Sequence, residues 1–564
     1  MQKTSFLFLI IYGLFSLSGG CQNLILQIEP KIETDSIVIT ALNYKTKHSN
    51  YDSMLSEIDS IQNTLYKQGF IENEFEALKR INDSTFFTVL DVKQKYETIH
   101  IYYDNSIIDA SILNQVSTEV NINYFELPFK AVEKALQFIN SKISGTGFPF
   151  SKLRLGNIEI IEDMKLRANL IIIFDSNKRQ IDNIVIKGYK KFPQAYLKHF
   201  LKIKRSQVFD LKKIKEKTER LSNLKFANQI KSPEVLFTKD STTLYMYLEK
   251  AKSNSFDGFL GFGTNEDSNK IEFDGYLNLN LTNNLNFGET FRLLYKSDEN
   301  DQTTFEGTLS LPYLFNSPIG ADLQLRIFRK DSSFSTVNQS AKLHYQLNSK
   351  NKIYGGITST ESSNLLNENT SINILDYKSN YATLAYQFLN FDPYNLLFPL
   401  KSSIYIESNF GNRKQSSLSE KQTLLELDAF KIFNLNEQNS IYLRINGAML
   451  NSTNYLENEL IRFGGINSIR GFEENSLYAS QYGLVNSEYR YQLNSSIYIH
   501  SIIDFAYFEN AIANIKEKLF GYGFGFGILT KSGLLKFNYA NGKIENQKFK
   551  LSNSKIHLSL IADF

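Results

Sequence analysis

Tryptophan is absent from this chain of 564 residues, cysteine occurs once and proline only nine times. A single cysteine excludes an intramolecular disulfide. Scarce proline leaves room for long strands, because proline cannot donate to a β-ladder. After the N-terminus no segment holds the roughly twenty consecutive apolar residues that a membrane-spanning helix needs. Neither sign of charge dominates, with 62 Lys and Arg against 59 Asp and Glu, so a nucleic-acid partner is not expected. Gly-x-Ser-x-Gly, His-Glu-x-x-His and P-loop motifs are missing, and the six histidines are scattered. These absences point away from an enzyme and from any cofactor or metal.

What the chain has in quantity is aromatics, 32 Tyr and 44 Phe. With so little proline, they fit long β-strands whose aromatic side chains sit at membrane interfaces. At roughly 150 residues per domain, the length suggests three or four units.

Residues 1–21 read as a signal peptide. Lys3 supplies a positive start, Phe6 to Phe15 (FLFLIIYGLF) an apolar core, and Ser18, Gly19 and Gly20 the small residues before cleavage. Cys21 falls at the cleavage region and has two open readings. It is either a lipidated first mature residue or a bystander to ordinary cleavage, Ser18 standing where a lipoprotein signal usually has leucine. A mature chain without a helical span is either soluble or crosses a membrane as strands.

The segment from about 30 to 252 repeats. Gly69-Phe70, Gly147-Phe148 and Lys225-Phe226 each follow a helix-like stretch and precede a strand-like run, and their phenylalanines are 78 residues apart both times. A fixed period of this size means one structural unit used three times, at 30–104, 105–178 and 179–252. In the third copy Ile181–Ile186 reads as a strand ending at Gly188, Ala195–Leu201 and Leu211–Leu224 as helices, and Val235–Phe237 and Leu244–Leu248 as strands. This βααββ order resembles a POTRA domain, the periplasmic module of outer-membrane assembly factors. Lys187 to Arg220 carries twelve basic and three acidic residues, either a positive face for lipid phosphates or an acidic partner, or a solvated surface.

From 253 to 564 the pattern changes to period two, as in Phe273-Gly275-Leu277-Leu279-Leu281 and Phe520-Tyr522-Phe524-Phe526-Ile528, with polar residues or glycine between. Apolar residues facing lipid and polar ones facing a lumen are the mark of an antiparallel transmembrane β-barrel. Sixteen such runs lie between turn-rich stretches, from 256–264 to 553–564. The predicted fold class is thus α+β repeats followed by an all-β barrel of about 16 strands. Its first and last strands must pair as a seam. Gly258, Gly261 and Gly263 weaken the first, and the last contains no glycine and ends at Phe564.

A connection at about 451–479 holds Arg462-Phe463-Gly464-Gly465-Ile466-Asn467-Ser468-Ile469-Arg470-Gly471-Phe472. It resembles the signature loop of the outer-membrane insertase superfamily of BamA and TamA, in which a Gly-Gly pair precedes Val/Ile-Arg-Gly-Phe/Tyr. The family's downstream Glu corresponds to Glu488, and its Phe-x-Asp-x-Gly to Ile502–Ala506, with Asp504 kept and Ile and Ala replacing Phe and Gly. The resemblance implies a loop folded back into the lumen, and three repeats place the chain nearer TamA than BamA. A guanidinium in a lumen needs carboxylate partners, so Arg470 with Glu488 and Asp504 is expected to act as a latch, and Gly471 to let the backbone turn.

The resemblance further implies an outer-membrane protein with its repeats in the periplasm, inserting or translocating unfolded outer-membrane or secreted clients. Repeat edges would capture extended clients by strand addition. Outer-membrane lipid and a periplasmic or inner-membrane partner are further expected contacts. Two other readings are a two-partner-type secretion porin, which shares the loop motif, and a passive channel, which leaves the repeats unexplained.

Overall fold

The computed structural model describes residues 23–564, except 163, 175–176, 265–270, 298–301, 367–372, 393–394, 417, 549, 552–553 and 564. The expected signal peptide, Cys21 and Phe564 therefore lie outside the described residues. One compact unit comprises Met1–Gln180 with Val208–Leu211, the other Ile181–Gln207 with Lys212–Phe564.

Each repeat is a small sheet covered by helices, its first strand parallel to its last and its penultimate strand antiparallel to that same central strand. In the first, Leu24–Pro30 pairs with Thr85–Asp91. Asn50 caps the helix Tyr51–Gln68, its side chain accepting from the Ser53 amide at 2.8 Å. That helix closes at Gly69, whose φ of +103° is left-handed, and the Phe70 amide donates back to the Leu65 carbonyl. Phe70 thereby enters a core with Leu26, Met54, Ile61 and Leu90.

The recurring phenylalanine is a core anchor delivered by a helix end. Phe148 packs likewise against the second core. In the third repeat the helix Leu211–Thr218 runs into a 3-10 turn, Glu219–Asn223, and leaves through an extended Leu224. That exit needs no left-handed residue, so Lys225 stands where the others have glycine, while Phe226 is still buried.

Two expected domain boundaries shift. The first sheet begins at Leu24 rather than 30, and Thr98–Tyr102, assigned to 30–104, belongs to the second sheet, parallel to Lys165–Ile173. The reason is that the unit opens on a strand, whereas the phenylalanine period marks its middle. The second repeat also inserts a hairpin, and Tyr124–Pro128 covers the edge of Thr98–Tyr102, with His100 and Glu126 bonded at 2.6 Å. The third repeat follows the predicted order, Asn183–Gly188, Tyr196–Phe200, Leu211–Thr218, Ala227–Phe237 and Thr242–Lys250, the first short helix being π-helical.

The barrel is closed, with sixteen antiparallel strands, each containing the core of one predicted run. Closure satisfies the backbone groups that an open edge would leave unpaired in hydrocarbon. Alternation is clear in Ile497–Asn510. Ile499, Ile503 and Phe505 face outward, and His500, Ile502, Asp504 and Ala506 are buried inward. The seam departs from the rest of the wall. Ser255–Thr264 pairs with the last strand, Ser554–Asp563, only at Ser255↔Asp563 and Phe256↔Ala562 among the described residues.

Candidate functional site: the latched lumen loop

The loop starts from a closed base, where the Leu450 amide donates to the Ser480 carbonyl at 2.8 Å. A 3-10 turn, Glu457–Glu459, leads into a hairpin of Ile461–Phe463 against Leu477–Ala479. At the tip, Gly464 and Gly465 adopt left-handed φ values of +109° and +97°, and the Gly465 amide donates to the Ile469 carbonyl. Values near +100° lie beyond the left-handed range of about +50 to +70° that side-chain-bearing residues adopt, so both positions favour glycine.

The structure brings Arg470, Glu488 and Asp504 together. The Arg470 guanidinium donates bidentately to Asp504, Nε to Oδ2 at 2.8 Å and Nη2 to Oδ1 at 2.6 Å. The Arg470 backbone amide donates to the same carboxylate at 3.0 Å, and Nη1 donates to Glu488. Arg470 is 5% exposed and Asp504 1%. Gly471 has φ +90°, and a Cβ there would sit 2.3 Å from the Gly542 amide nitrogen, so the tip lies flat against the wall only as glycine. Gly521 likewise makes room for the Arg470 carbonyl.

Sequence reasoning missed a fourth member of this cluster. Arg490 donates to the second Glu488 oxygen through Nε at 2.8 Å, while its plane lies over Tyr442 and Phe398. Two guanidiniums and two carboxylates thus balance, as a buried ionic group requires. The signal was present: Glu488 and Arg490 are two residues apart on one strand and so share a face.

Three further anchors were also missed. Arg413 pairs with Glu459 and Glu420. Asn458 donates to Ser362 and to the Leu375 carbonyl. Arg444 grips Asp428 bidentately and donates to the Asn467 carbonyl at 2.6 Å. Arg413 with Glu420 and Arg444 with Asp428 are hairpin neighbours on adjacent strands, but the contacts that hold the loop, Arg413 to Glu459, Asn458 to Ser362 and Arg444 to Asn467, join elements that strand parity alone cannot pair. Closer to the seam, Glu474 pairs with Lys296 at 3.2 Å and Glu473 with Lys555 of the last strand at 2.8 Å.

The loop also has an apolar core. Phe463, Ile469 and Ala479 pack with Leu484, Ala506, Phe508 and Leu519 of the wall, and Phe463 stacks on Tyr482 at 4.4 Å. Ala506 is fully buried in it, so the position where the family has glycine here packs a methyl group. Of the seam residues, Gly258 lies close to the Tyr276 carbonyl, and a Cβ there would approach it to 2.3 Å. Gly261 and Gly263 lie in the first strand, paired with Asp274 and Glu272. Among the described residues no group of His, Cys, Asp and Glu is placed to hold a metal ion, and no helix is long and apolar enough to cross a membrane.

Residues 180–250 match the POTRA family model, described as a surface antigen variable number repeat. The chain shares its fold with CdiB from Escherichia coli at 12% identity and a TM-score of 0.56, over 94% of this chain and 98% of that one. CdiB from Acinetobacter baumannii gives 16% identity and 0.53, over 91% and 97%. BamA from Haemophilus ducreyi lacking POTRA domains 1-3 gives 15% identity and 0.49, over 82% and 99%. No curated protein matches the sequence. At these identities the likeness to CdiB is one of fold, and it defines a POTRA–barrel protein. The POTRA match falls on the third repeat, where the sequence led to that domain.

Proposed function

We propose that this chain is a non-enzymatic insertase or translocator of the outer membrane, with its POTRA repeats in the periplasm and its barrel passing clients into or across the bilayer. The observation that carries this reading is the coupling of POTRA repeats to a barrel whose seam shows two register pairs among the described residues. A wall edge held so briefly is the least costly place for a client strand to add. The latched loop keeps the lumen filled and the wall in shape while that edge works. Clients are unfolded outer-membrane or secreted proteins, met first by repeat edges, and a periplasmic or inner-membrane partner would dock on the same repeats.

A secretion porin of the CdiB type is the second reading, favoured by the near-complete coverage of both CdiB chains. Depletion of the protein followed by quantitative proteomics of the outer membrane separates the two. The insertase reading expects several β-barrel proteins to fall together. Loss of one secreted protein, with all barrels unchanged, would support the porin instead.

A further inference from the structure

The third repeat is strongly basic from Lys187 to Arg220, twelve positive against three negative residues, in a chain whose total is only +3. Its placement gives that charge a direction. The helix Tyr196–Phe200 docks on barrel turns that all lie at one rim. The Tyr196 hydroxyl donates to the Gly288 carbonyl at 3.2 Å, and its ring fills the space a Cβ at Gly288 would occupy, 2.0 Å away. Burial pushes the Tyr196 phenol well above its ordinary range. Asn283 donates to the Tyr189 hydroxyl at 2.6 Å. His199 bonds the Asn316 carbonyl at 2.8 Å and stacks on Tyr313, and Lys202 reaches the Leu347 carbonyl at 3.4 Å.

Those turns present bare apolar side chains. Leu285 and Phe287 are each 68% exposed, Phe315 is fully exposed, and Leu347 is also exposed. On a barrel that spans a membrane, apolar side chains at the strand ends mark the boundary between acyl chains and headgroups. Lys190, Lys191, Lys198 and Lys202 are exposed, and each lies within three residues of a side chain docked on those turns. We infer that this basic collar, with the turn apolars beside it, binds the anionic headgroups of the periplasmic leaflet and holds the third repeat against the membrane next to the first hairpins of the barrel. Apolar anchors beside a basic cluster favour a lipid surface over an acidic polypeptide, which would supply charge but nothing for Phe287 and Phe315 to enter. The inference rests on the transmembrane reading of the barrel but not on client insertion.

The absence of tryptophan provides a clean reporter. The full chain carrying Phe315→Trp is reconstituted in lipid nanodiscs containing equal fractions of phosphatidylcholine and phosphatidylglycerol, brominated on one or the other. Brominated phosphatidylglycerol should quench the tryptophan roughly two-fold more strongly, and the preference should fall in high salt. Replacing Lys190, Lys191, Lys198 and Lys202 by Gln should bring the two lipids level. Native mass spectrometry of the otherwise unaltered chain, with and without the four Gln replacements, reads anionic-lipid retention without the new tryptophan. Equal quenching and equal retention with all four lysines in place would overturn the proposal. So would salt-sensitive binding of polyglutamate without lipid preference, which would assign the collar to an acidic polypeptide. Lipid preference without client insertion would leave the collar standing and count against the insertase reading alone.

Discussion

The far wall of the barrel and its seam are built of the same antiparallel ladder and differ in how far the ladder runs. Tyr377–Phe391, Leu400–Gln415 and Leu418–Asn434 are 15, 16 and 17 residues long, and register is continuous from Lys378↔Lys414 to Asn390↔Ser402. Among the described residues the two seam strands have ten residues each and meet at two register pairs. Inside the wall, the hydroxyls of Thr358 and Thr383 bond at 2.8 Å and Thr383 donates to Asn409 at 2.6 Å, tying neighbouring strands together through buried side chains. Since each backbone hydrogen bond contributes on the order of 1 kcal/mol net, and more where water is excluded, rigidity follows ladder length. The comparison teaches that a closed barrel can be firmly closed over most of its circumference and weakly closed at one line.

The largest expected effect comes from abolishing that difference. Cys21 is the only native cysteine, so a Phe256→Cys, Ala562→Cys pair at the seam reports alone. Oxidising it should stop client insertion into proteoliposomes, and reduction should restore it. The same treatment of Ala382→Cys with Phe410→Cys, a register pair in the far wall, should change nothing. Full activity in the crosslinked seam variant would mean that the wall does not open there.

Next in size is the latch. Arg470→Ala leaves Asp504 and half of Glu488 without their partner, and breaking a buried pair costs roughly 3–5 kcal/mol. The unheated protein should lose its compact mobility on gels at a lower temperature, and protease should cut within 451–479. An unaltered melting profile together with unaltered protease resistance would show that the loop is held by its apolar core and by Arg413 and Arg444 instead.

How much of this was legible in the sequence depends on the range of the pattern. The barrel strands were readable because alternation is local, and Arg470 with Glu488 and Asp504 because a dense motif names all three. The repeat period located Phe70, Phe148 and Phe226, yet misplaced Thr98–Tyr102, since a period fixes spacing but not where the unit begins. Arg413 with Glu459, and Lys296 with Glu474, stayed hidden. Their partners are set by how a 29-residue loop descends through the lumen, which no local pattern encodes.

The smallest effect concerns the two ion pairs at the seam itself. Glu474 reaches Lys296 near the start of the barrel and Glu473 reaches Lys555 at its end, so adjacent loop residues brace both sides of the weak line. Their side chains are 24% and 51% exposed, and exposed pairs contribute only about 0.2–1 kcal/mol, less in salt. Glu473→Gln with Glu474→Gln should therefore leave the melting profile almost unchanged. A difference of that size still matters at an edge with two register pairs among the described residues, because 1.4 kcal/mol is about ten-fold in an opening equilibrium. Hydrogen exchange at the amides of Ser255–Thr264 should accelerate by a few-fold in the double variant, while exchange in Tyr377–Phe391 stays as it was. Equal exchange in both variant and parent would show that the loop fills the lumen without bracing the seam, and would leave ladder length as the sole source of the contrast between the two regions.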